Sequence, residues 1–177
     1  TLIELGKSNQ NIVVLGGDLN KSTTAMAFSK EFPERFFDFG AAEQNMMSVA
    51  AGLAYSGKIP FCTTFAVFGT GRAFDHLRVS ISQPRLNVKI VVTHAGLLTG
   101  EDGMSAQAIE DLALMMSLPS FTVIVPADAI EAEEAIRSAA FTDGPFYIRL
   151  SRPATPVLHG DGYQFKIGQA DVWTGNW

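Results

Sequence analysis

The chain has 177 residues, of which 47% are hydrophobic, and this length and composition suit one compact domain with a full core. The formal net charge is −5 and no run of lysine or arginine occurs, so nothing favours a nucleic-acid partner. No apolar stretch approaches the ~20 residues that a membrane span needs. The single cysteine, Cys62, excludes an internal disulfide and fits a reducing compartment, so we expect a cytoplasmic protein.

Apolar runs typical of strands alternate with segments of helical period in the first half of the chain. In chain order they are strand 11–15, helix 21–30, strand 36–39, helix 42–55, strand 59–64 and helix 71–82. The second of these helices has the clearest period, because Met46, Val49 and Leu53 fall on one stripe. Most of the strands are nearly continuous in apolar character, which is typical of strands covered on both faces of a parallel sheet.

The alternation continues in the second half of the chain. It predicts strand 88–93, helix 105–118, strand 121–125, helix 128–140 and strand 146–150. In the helix at 105–118, Ile109, Leu112 and Met116 share a stripe, and the next helix opens with an Asp-x-x-Glu pattern in which Asp128 is the N-cap. The whole pattern predicts an α/β fold with a doubly wound, mostly parallel six-stranded sheet and helices on both faces.

We predict one domain at 1–155 and a linker or interface tail at 156–177. From Pro153 onward the pattern gives way to proline, glycine, aspartate and aromatic residues, with 168–173 as a candidate for one further short strand. The chain begins without methionine and without the basic and apolar segments of a secretory signal. We therefore expect part of a longer polypeptide, with the tail leading toward a C-terminal domain that this chain does not contain.

Polar and aromatic residues follow the predicted strands, where an open α/β sheet binds its ligands. They are Asp18 after the first strand, Glu43 after the second, Phe65 and Phe68 after the third, His94 and Asp102 after the fourth, and Arg149 and Arg152 after the sixth. Each has an ordinary structural interpretation when taken alone, such as a turn residue, a core ring or a surface ion pair. Their convergence at one edge of one sheet favours a binding site there.

Glu43 falls in the first turn of a helix whose later residues are mostly alanine, methionine, valine and leucine. The helix N-terminus favours the ionised carboxylate, whereas burial opposes it. A glutamate between these two effects can share a proton with a ring nitrogen, which is general acid–base work. Alternatively, Glu43 satisfies exposed N–H groups of the first helical turn, and the spacing leaves both interpretations open.

The segment 40–46, Gly-Ala-Ala-Glu-Gln-Asn-Met, followed by Ala-Ala-Gly-Leu-Ala at 50–54, resembles the signature of the pyrimidine-binding domain of transketolases. The aromatic segment at 64–78 and the loop at 93–103 are similar to those of the family, and 151–153 fits the end of that domain. The resemblance keeps its order over nearly all of 1–155. It is therefore specific, although any one motif alone is weak.

The resemblance implies a thiamine-diphosphate enzyme that moves a two-carbon ketol unit between sugar phosphates in the pentose phosphate pathway. In this family Glu43 would hydrogen-bond the aminopyrimidine ring and favour its imino tautomer, which activates the cofactor. Phe65 and Phe68 would stack on or enclose the pyrimidine and exclude water. Asp18 lies where the family has an interface residue near the thiazolium.

The resemblance also implies a substrate site and reveals two departures. His94 and Asp102 would face the sugar hydroxyls, and Arg152 would hold the phosphate of the substrate. Many transketolases carry a histidine just beyond the Gly-Glu-Asp-Gly loop, where this chain has Met-Ser-Ala-Gln at 104–107, in which Gln107 can supply a hydrogen bond. An aromatic residue that often follows the stacking phenylalanine is replaced around 69–71, which predicts a differently shaped pocket wall.

The family holds the diphosphate through a divalent metal with a Gly-Asp-Gly motif and a downstream asparagine. Leu19 breaks this motif after Gly17 and Asp18, so we expect no metal on this chain. Mg²⁺ or Ca²⁺ would be bound by an N-terminal transketolase subunit or domain that shares the cofactor. This chain alone would then be inactive, and the two-fold pairing of the family predicts self-association into a dimer.

Three alternative functions remain open. The β-subunit of a 2-oxoacid dehydrogenase and deoxyxylulose-phosphate synthase share the glutamate and the fold, although the loop at 100–103 with 109–111 looks closer to transketolase. The third is a non-catalytic paralogue that keeps the sheet for binding or assembly. The altered stretch at 104–107 favours this third alternative, whereas Glu43 and Phe65 argue against it.

Overall fold

One sheet of six strands forms the centre of the protein, which a computed structural model describes over residues 1–160 and 162–172. The strands are β1 (Ile12–Gly16), β2 (Phe36–Asp38), β3 (Ile59–Phe65), β4 (Lys89–Thr93), β5 (Thr122–Ile124) and β6 (Phe146–Arg149). Their order is β2-β1-β3-β4-β6-β5, and every neighbouring pair is parallel. The predicted doubly wound α/β sheet is confirmed, and its six strands are all parallel.

Helices connect the strands. They are α1 (Leu2–Ser8), α2 (Met26–Glu31), α3 (Glu43–Tyr55), α4 (Phe74–His76), α5 (Asp111–Met116) and α6 (Ala129–Ala140). Wide π-type turns at Phe68–Arg72 and Leu77–Ser82 flank α4, a 3₁₀ turn occupies Pro33–Arg35, and two short 3₁₀ turns separated by a kink at Gly100 occupy Leu97–Asp102. None of the described helices is both long enough and apolar enough to cross a membrane.

The inner strands β1, β3, β4 and β6 bury side chains on both faces of the sheet, because alternate side chains point to opposite sides. On one side, Val13 and Leu15 pack with residues of α3, the 68–82 segment and α5. On the other side, Ile12 and Val14 pack with residues of α1, α2 and α6. Helices therefore cover both faces, as the apolar strand pattern predicts.

Helix α1 was not predicted from the sequence. It has seven residues and Gly6 in its middle, so its hydrophobic period is too short to identify it. The glycine is required by packing, since a Cβ at Gly6 would lie 2.7 Å from a ring carbon of Phe32 and 2.8 Å from one of Phe28. Tertiary contacts rather than local pattern therefore define this helix.

The predicted helix at 105–118 is wrong in its first six residues and ends two residues early, at Met116. Residues 105–110 form a loop in which Ala108 bridges to Ala95, and the helix begins only at Asp111. The predicted apolar stripe holds only for Leu112, which packs against the core, because Ile109 and Met116 are 76% and 71% exposed, whereas Asp111 and Met115 are buried. A buried ion pair of Asp111 determines which side of α5 faces the core.

Three smaller differences concern boundaries and faces. The predicted helix at 21–30 is displaced to Met26–Glu31. In α3, Val49 lies at the surface and Met47 takes its predicted place in the core. Residues 168–172 form turn and irregular structure rather than a strand, and the remaining residue of that predicted strand, Trp173, lies outside the described residues.

The strand order creates a switch point between β1 and β3. From β1 the chain passes first to β2 on one side, and later to β3 on the other side. A crevice opens at the carboxyl ends of the strands at such a point, and open α/β sheets bind ligands there. The loop after β1, the start of α3 and the end of β3 border this crevice.

Candidate functional site

Glu43 is the first residue of α3 and is 1% exposed. Its Oε2 accepts a hydrogen bond from Nη1 of Arg72 at 2.7 Å, and its Oε1 lies 3.5 Å from the donating hydroxyl of Thr64. Gly17 lines the same space, since a Cβ on it would lie 3.2 Å from Oγ1 of Thr64 and 3.5 Å from Cγ of Glu43. The carboxylate therefore lies in the switch-point crevice, and a glycine leaves room beside it.

The hydrogen bonds of Glu43 bear on the two interpretations of this residue. In the part of the chain that the structure describes, its carboxylate bonds Arg72 and Thr64, not N–H groups of its own first turn. The N-cap of α3 is Ala42, whose side chain cannot accept a hydrogen bond. Capping therefore does not account for the buried position of Glu43.

A series of flat groups leads away from Glu43. The guanidinium carbon of Arg72 lies 4.8 Å from the ring centroid of Phe68, and the rings of Phe68 and Phe65 are nearly parallel, with centroids 6.1 Å apart. The imidazole of His94 stacks on Phe65 with a centroid distance of 3.7 Å. The rings join the carboxylate after β2 to the histidine after β4 in one connected surface.

His94 adopts an uncommon backbone conformation at the end of β4. Its φ is 59°, in the left-handed region that non-glycine residues seldom occupy and that is enriched at functional sites. Thr99 stabilises this conformation by donating its hydroxyl to the carbonyl of His94 at 2.6 Å. Burial lowers the pKa of His94, and although Asp102 opposes this effect, Arg152 adds to it. The imidazole is therefore neutral at neutral pH.

The loop at 97–103 connects His94 to Arg152. Oδ2 of Asp102 lies 4.0 Å from Nε2 of His94 and 3.8 Å from Nη1 of Arg152. Arg152 also donates to the carbonyl of Thr99 and to the carboxylate of Glu101, each at 2.6 Å. The hydrogen bond with Arg152 lowers the pKa of the exposed Glu101. A guanidinium and an imidazole thus lie on either side of Asp102.

Contacts join all but one of the predicted site residues. Glu43, Phe68, Phe65, His94, Asp102 and Arg152 form one series, in which Arg72 makes the first link. Asp18 is exposed and its backbone N–H donates to Asp38 at 3.3 Å, so it lies beside the crevice rather than in this series. A role for Asp18 at the cofactor stays a prediction.

Sequence reasoning gave Arg72 no role, although it is the ionic partner of Glu43. The two residues are 29 positions apart, and no spacing rule connects residues at such a separation. The amide of Gln107 donates to the carbonyls of Leu97 at 3.2 Å and Gly100 at 3.4 Å, so in this structure it holds the loop. Its predicted hydrogen bond to substrate is not tested by these contacts.

A second network that the sequence did not reveal lies next to Gly96, at the start of the same loop. Asp111 is 1% exposed and accepts hydrogen bonds from the hydroxyl of Tyr147 at 2.6 Å and from Nε of Arg149 at 2.8 Å. Burial raises the pKa of Tyr147, and its hydrogen bond to Asp111 adds to the increase. Arg149 also leaves little room for a side chain at position 96, because a Cβ on Gly96 would lie 3.3 Å from Nη2 of Arg149.

The residues around Glu43 fit a flat heterocycle that carries N–H groups. The guanidinium of Arg72 is planar, donates to the carboxylate and lies over the ring of Phe68, so the site already accommodates a group with these properties. A cavity of about 550 Å³ lies elsewhere, between β5 and the segment 165–171, and Glu43 does not line it. We place the site at Glu43 because the titratable and aromatic groups converge there.

The described residues, 1–160 and 162–172, also show whether a metal ion could bind. No group of three or more histidine, cysteine, aspartate or glutamate side chains there is placed to hold a metal ion. The expectation that a partner binds the cation stays a prediction.

The fold and the site together define a doubly wound α/β domain with a buried carboxylate and stacked aromatic rings in its switch-point crevice. The family described as transketolase, pyrimidine binding domain, matches residues 1–157. The chain belongs to this family, as the signature at 40–54 predicts.

Similar proteins include both split and single-chain transketolases. A Methanocaldococcus jannaschii protein, provisionally named a transketolase C-terminal section, is 48% identical over 174 residues, which cover 97% of this chain and 55% of that protein. Homo sapiens transketolase is 43% identical over 173 residues, or 97% of this chain and 27% of that protein. A solved split-gene transketolase, described as an inactive β4 tetramer, has a TM-score of 0.83 at 54% identity and covers 95% of this chain and 54% of its own. The chain thus spans about half the length of the split relatives.

Proposed function

We propose that this chain is the pyrimidine-binding component of a thiamine-diphosphate-dependent transketolase, which moves a two-carbon ketol unit between sugar phosphates. The observation that carries the proposal is the buried carboxylate of Glu43 at the switch point, joined by stacked rings to His94. The family match and the transketolase names of the relatives support it. When bound, the cofactor supplies the nucleophilic carbon that carries the two-carbon unit.

Glu43 would hold a proton against a ring nitrogen of the cofactor. The carboxylate is almost completely shielded from water, so a single hydrogen bond made there is short-range, directed and little screened. Phe65 and Phe68 would offer their faces to the ring and keep water from the carboxylate. Glu43 thus orients the ring and controls its protonation.

His94, Asp102 and Arg152 would bind the sugar phosphate. A neutral imidazole can donate or accept a hydrogen bond with a hydroxyl group, and Asp102 can accept one. Arg152 holds Glu101, whose side chain is 80% exposed, so a phosphate can displace this carboxylate at little cost in desolvation. Arg152 would then bind the phosphate end of the substrate.

The chain would work with a partner that carries the diphosphate and divalent-cation site. Its own self-association is a further part of the proposal. Helix α3 starts at the site and exposes a band formed by Gln44, Asn45, Ser48, Val49 and Tyr55. Tyr55 is 85% exposed, and exposed tyrosines are enriched at interfaces. We propose that this band contributes to a contact between copies.

The function is tested by purifying the chain together with the N-terminal transketolase component and supplying thiamine diphosphate and Mg²⁺. Ketose and aldose phosphates should yield two-carbon transfer products that chromatography identifies, and neither component alone should yield them. Carbon dioxide release from a 2-oxoacid would instead indicate one of the decarboxylating relatives. An assembled complex that binds no thiamine diphosphate would support the non-catalytic alternative and contradict the proposal.

Self-association is tested separately by light scattering after gel filtration at micromolar concentration. The chain should have a mass of at least two copies, and Tyr55→Glu should shift the mass toward one copy. As a matched control, Phe141→Glu changes an exposed aromatic side chain (72% exposed) beyond the C-terminus of α6 and should leave the mass unchanged. A monomeric wild-type chain in the presence of its partner would contradict this part of the proposal.

A further inference from the structure

Arg72 and Glu43 form an ion pair with unequal exposure. The side chain of Glu43 is 2% exposed and that of Arg72 is 42% exposed, with 2.7 Å between Nη1 and Oε2. The other hydrogen bond of the carboxylate, from Thr64, is long at 3.5 Å. The buried charge therefore depends on a partner that itself remains half in solvent.

The guanidinium of Arg72 offers the crevice the features of an aminopyrimidine. It is a flat N–C–N unit, it donates an N–H to Glu43, and it lies over the ring of Phe68 at 4.8 Å from the centroid. A 4-aminopyrimidine is also flat, has a face that stacks on aromatic rings and, when its ring nitrogen is protonated, presents an N–H to a carboxylate. Both groups satisfy the same acceptor and the same ring, so they compete for one space.

The energetics allow an exchange of these two groups. Taking away the partner of a buried charge is strongly destabilising, so Glu43 needs some donor at all times. Arg72 is long, lies at the exposed end of the turn Phe68–Arg72 and gains solvation if its guanidinium rotates outward. An incoming ring whose nitrogen shares a proton with the Glu43 carboxylate replaces the lost hydrogen bond.

We propose that Arg72 is an internal surrogate ligand, which occupies the aminopyrimidine subsite of the free chain and leaves it when the cofactor's ring binds Glu43. This inference rests on the proposed function and adds a positioning residue to it. Arg72 keeps the subsite formed and its charge balanced before the chain meets its cofactor. The cofactor binds more weakly as a consequence, because only the fraction of molecules with Arg72 turned outward is competent.

The first test uses the full chain by itself and the small probe 4-amino-2-methylpyrimidine, with binding measured by NMR titration. Arg72→Ala should bind the probe about tenfold more tightly than the wild type, since no side chain competes for Glu43. It should also unfold at a lower temperature than the wild type, and millimolar methylguanidinium should restore part of the difference. Arg72→Ala combined with Glu43→Gln should show neither the tight binding nor the restoration.

A matched control and a conservative variant sharpen this test. Arg78 also forms an ion pair at 2.7 Å, with Asp75, but both side chains are at least half exposed (50% and 73%). Arg78→Ala should leave probe binding and methylguanidinium response unchanged. Arg72→Lys keeps the charge without the planar fork and should fall between the wild type and Arg72→Ala. Equal or weaker probe binding by Arg72→Ala would overturn the proposal, because Arg72 would then be a contact of the ring.

The second test uses the assembled complex with its partner and measures the dissociation constant of thiamine diphosphate by calorimetry. Arg72→Ala should again bind more tightly, and Arg78→Ala should match the wild type. Weaker binding by Arg72→Ala would overturn the surrogate role. If the wild-type complex binds no thiamine diphosphate, the proposed function fails, whereas the probe titration on the isolated chain still decides whether Arg72 occupies the subsite.

Discussion

Two buried carboxylates at the carboxyl edge of the sheet differ in how they are satisfied. Asp128, at the N-cap of α6, has a side chain that is 0% exposed and accepts backbone N–H bonds from Glu131 at 2.9 Å, Leu158 at 2.7 Å and His159 at 2.8 Å. Glu43, at the start of α3, depends on the half-exposed Arg72 and a distant hydroxyl. Both carboxylates are buried, but only one is surrounded by fixed donors.

The difference separates a structural carboxylate from one that can exchange partners. Burial opposes the charge of Asp128, but the backbone hydrogen bonds outweigh it, so the pKa of Asp128 is well below its usual value. These donors belong to α6 and to the segment that packs on it, and they cannot leave without local unfolding. The main partner of Glu43 can leave by rotating a side chain. We infer that a buried carboxylate with too few fixed hydrogen-bond donors, such as Glu43, marks the functional site.

The largest effect should come from Glu43→Gln in the assembled complex. The amide cannot exchange a proton with the ring nitrogen, and loss of general acid–base work typically costs about 10²–10⁴ in rate. We expect a kcat reduction in this range in a two-carbon transfer assay, with circular dichroism and mass of the complex unchanged. Wild-type turnover by this variant would contradict the role of Glu43.

Asp128→Ala should have the opposite effect to Glu43→Gln, a loss of stability with little change in activity. Removing one partner from a buried, hydrogen-bonded pair and deleting an N-cap costs about 3 kcal/mol, which urea denaturation of the isolated chain measures. Folded Asp128→Ala, assayed below its unfolding temperature, should retain its kcat within about twofold, because within the described residues Asp128 bonds Glu131, Leu158 and His159, none of which belongs to the site series. A stable but inactive variant would show that the comparison is wrong.

Tyr147→Phe tests the third buried carboxylate, Asp111, which lies between the two extremes. The substitution removes one of its donors and leaves Arg149 in place. Hydrogen bonds to a charged group contribute about 1.5 kcal/mol, so we expect a loss of this size in urea denaturation. Since Arg149, the other partner of Asp111, packs against Gly96 at the start of the loop that carries Asp102, KM for the sugar phosphate should rise more than kcat falls. An unchanged KM would place this network outside substrate binding.

The smallest effect should be a pH dependence at His159, which faces Asp128, Asp171, Glu131 and Tyr163. Burial opposes the charge of His159, but hydrogen bonds to Asp128 and Asp171 outweigh it, and its pKa is raised above 6.5. A raised pKa stabilises the fold below the unfolded value, and the contribution is lost as pH rises through the folded value.

This prediction is measured by comparing the wild type with His159→Gln in urea at several pH values. The difference in unfolding free energy should be largest below about pH 6.5 and should shrink by roughly 1 kcal/mol as pH rises above it. Activity of the assembled complex should not follow the same curve. A difference that is constant from pH 5 to 9 would show that the imidazolium does not hold the 156–172 segment.

Much of this protein was determined by its sequence. Continuous apolar strands separated by helical segments specify a parallel sheet, because only strands covered on both faces bury such side chains. The Asp-x-x-Glu pattern correctly identified the N-cap of α6, since capping is a local interaction across one helical turn. The signature around Glu43 likewise identified the family, because it lies within one contiguous stretch.

Tertiary structure alone decided which groups meet. Glu43 and its partner Arg72 are 29 positions apart, and Asp111 and its partner Tyr147 are 36 positions apart. Contacts over such separations produce no periodic pattern in the sequence. The same contact of Asp111 rotated the buried side of α5, so that Asp111 and Met115 are buried in place of Ile109 and Met116, while Leu112 still packs against the core. The sheet order brings these side chains together, and it is fixed by how the whole chain packs rather than by any local run of residues.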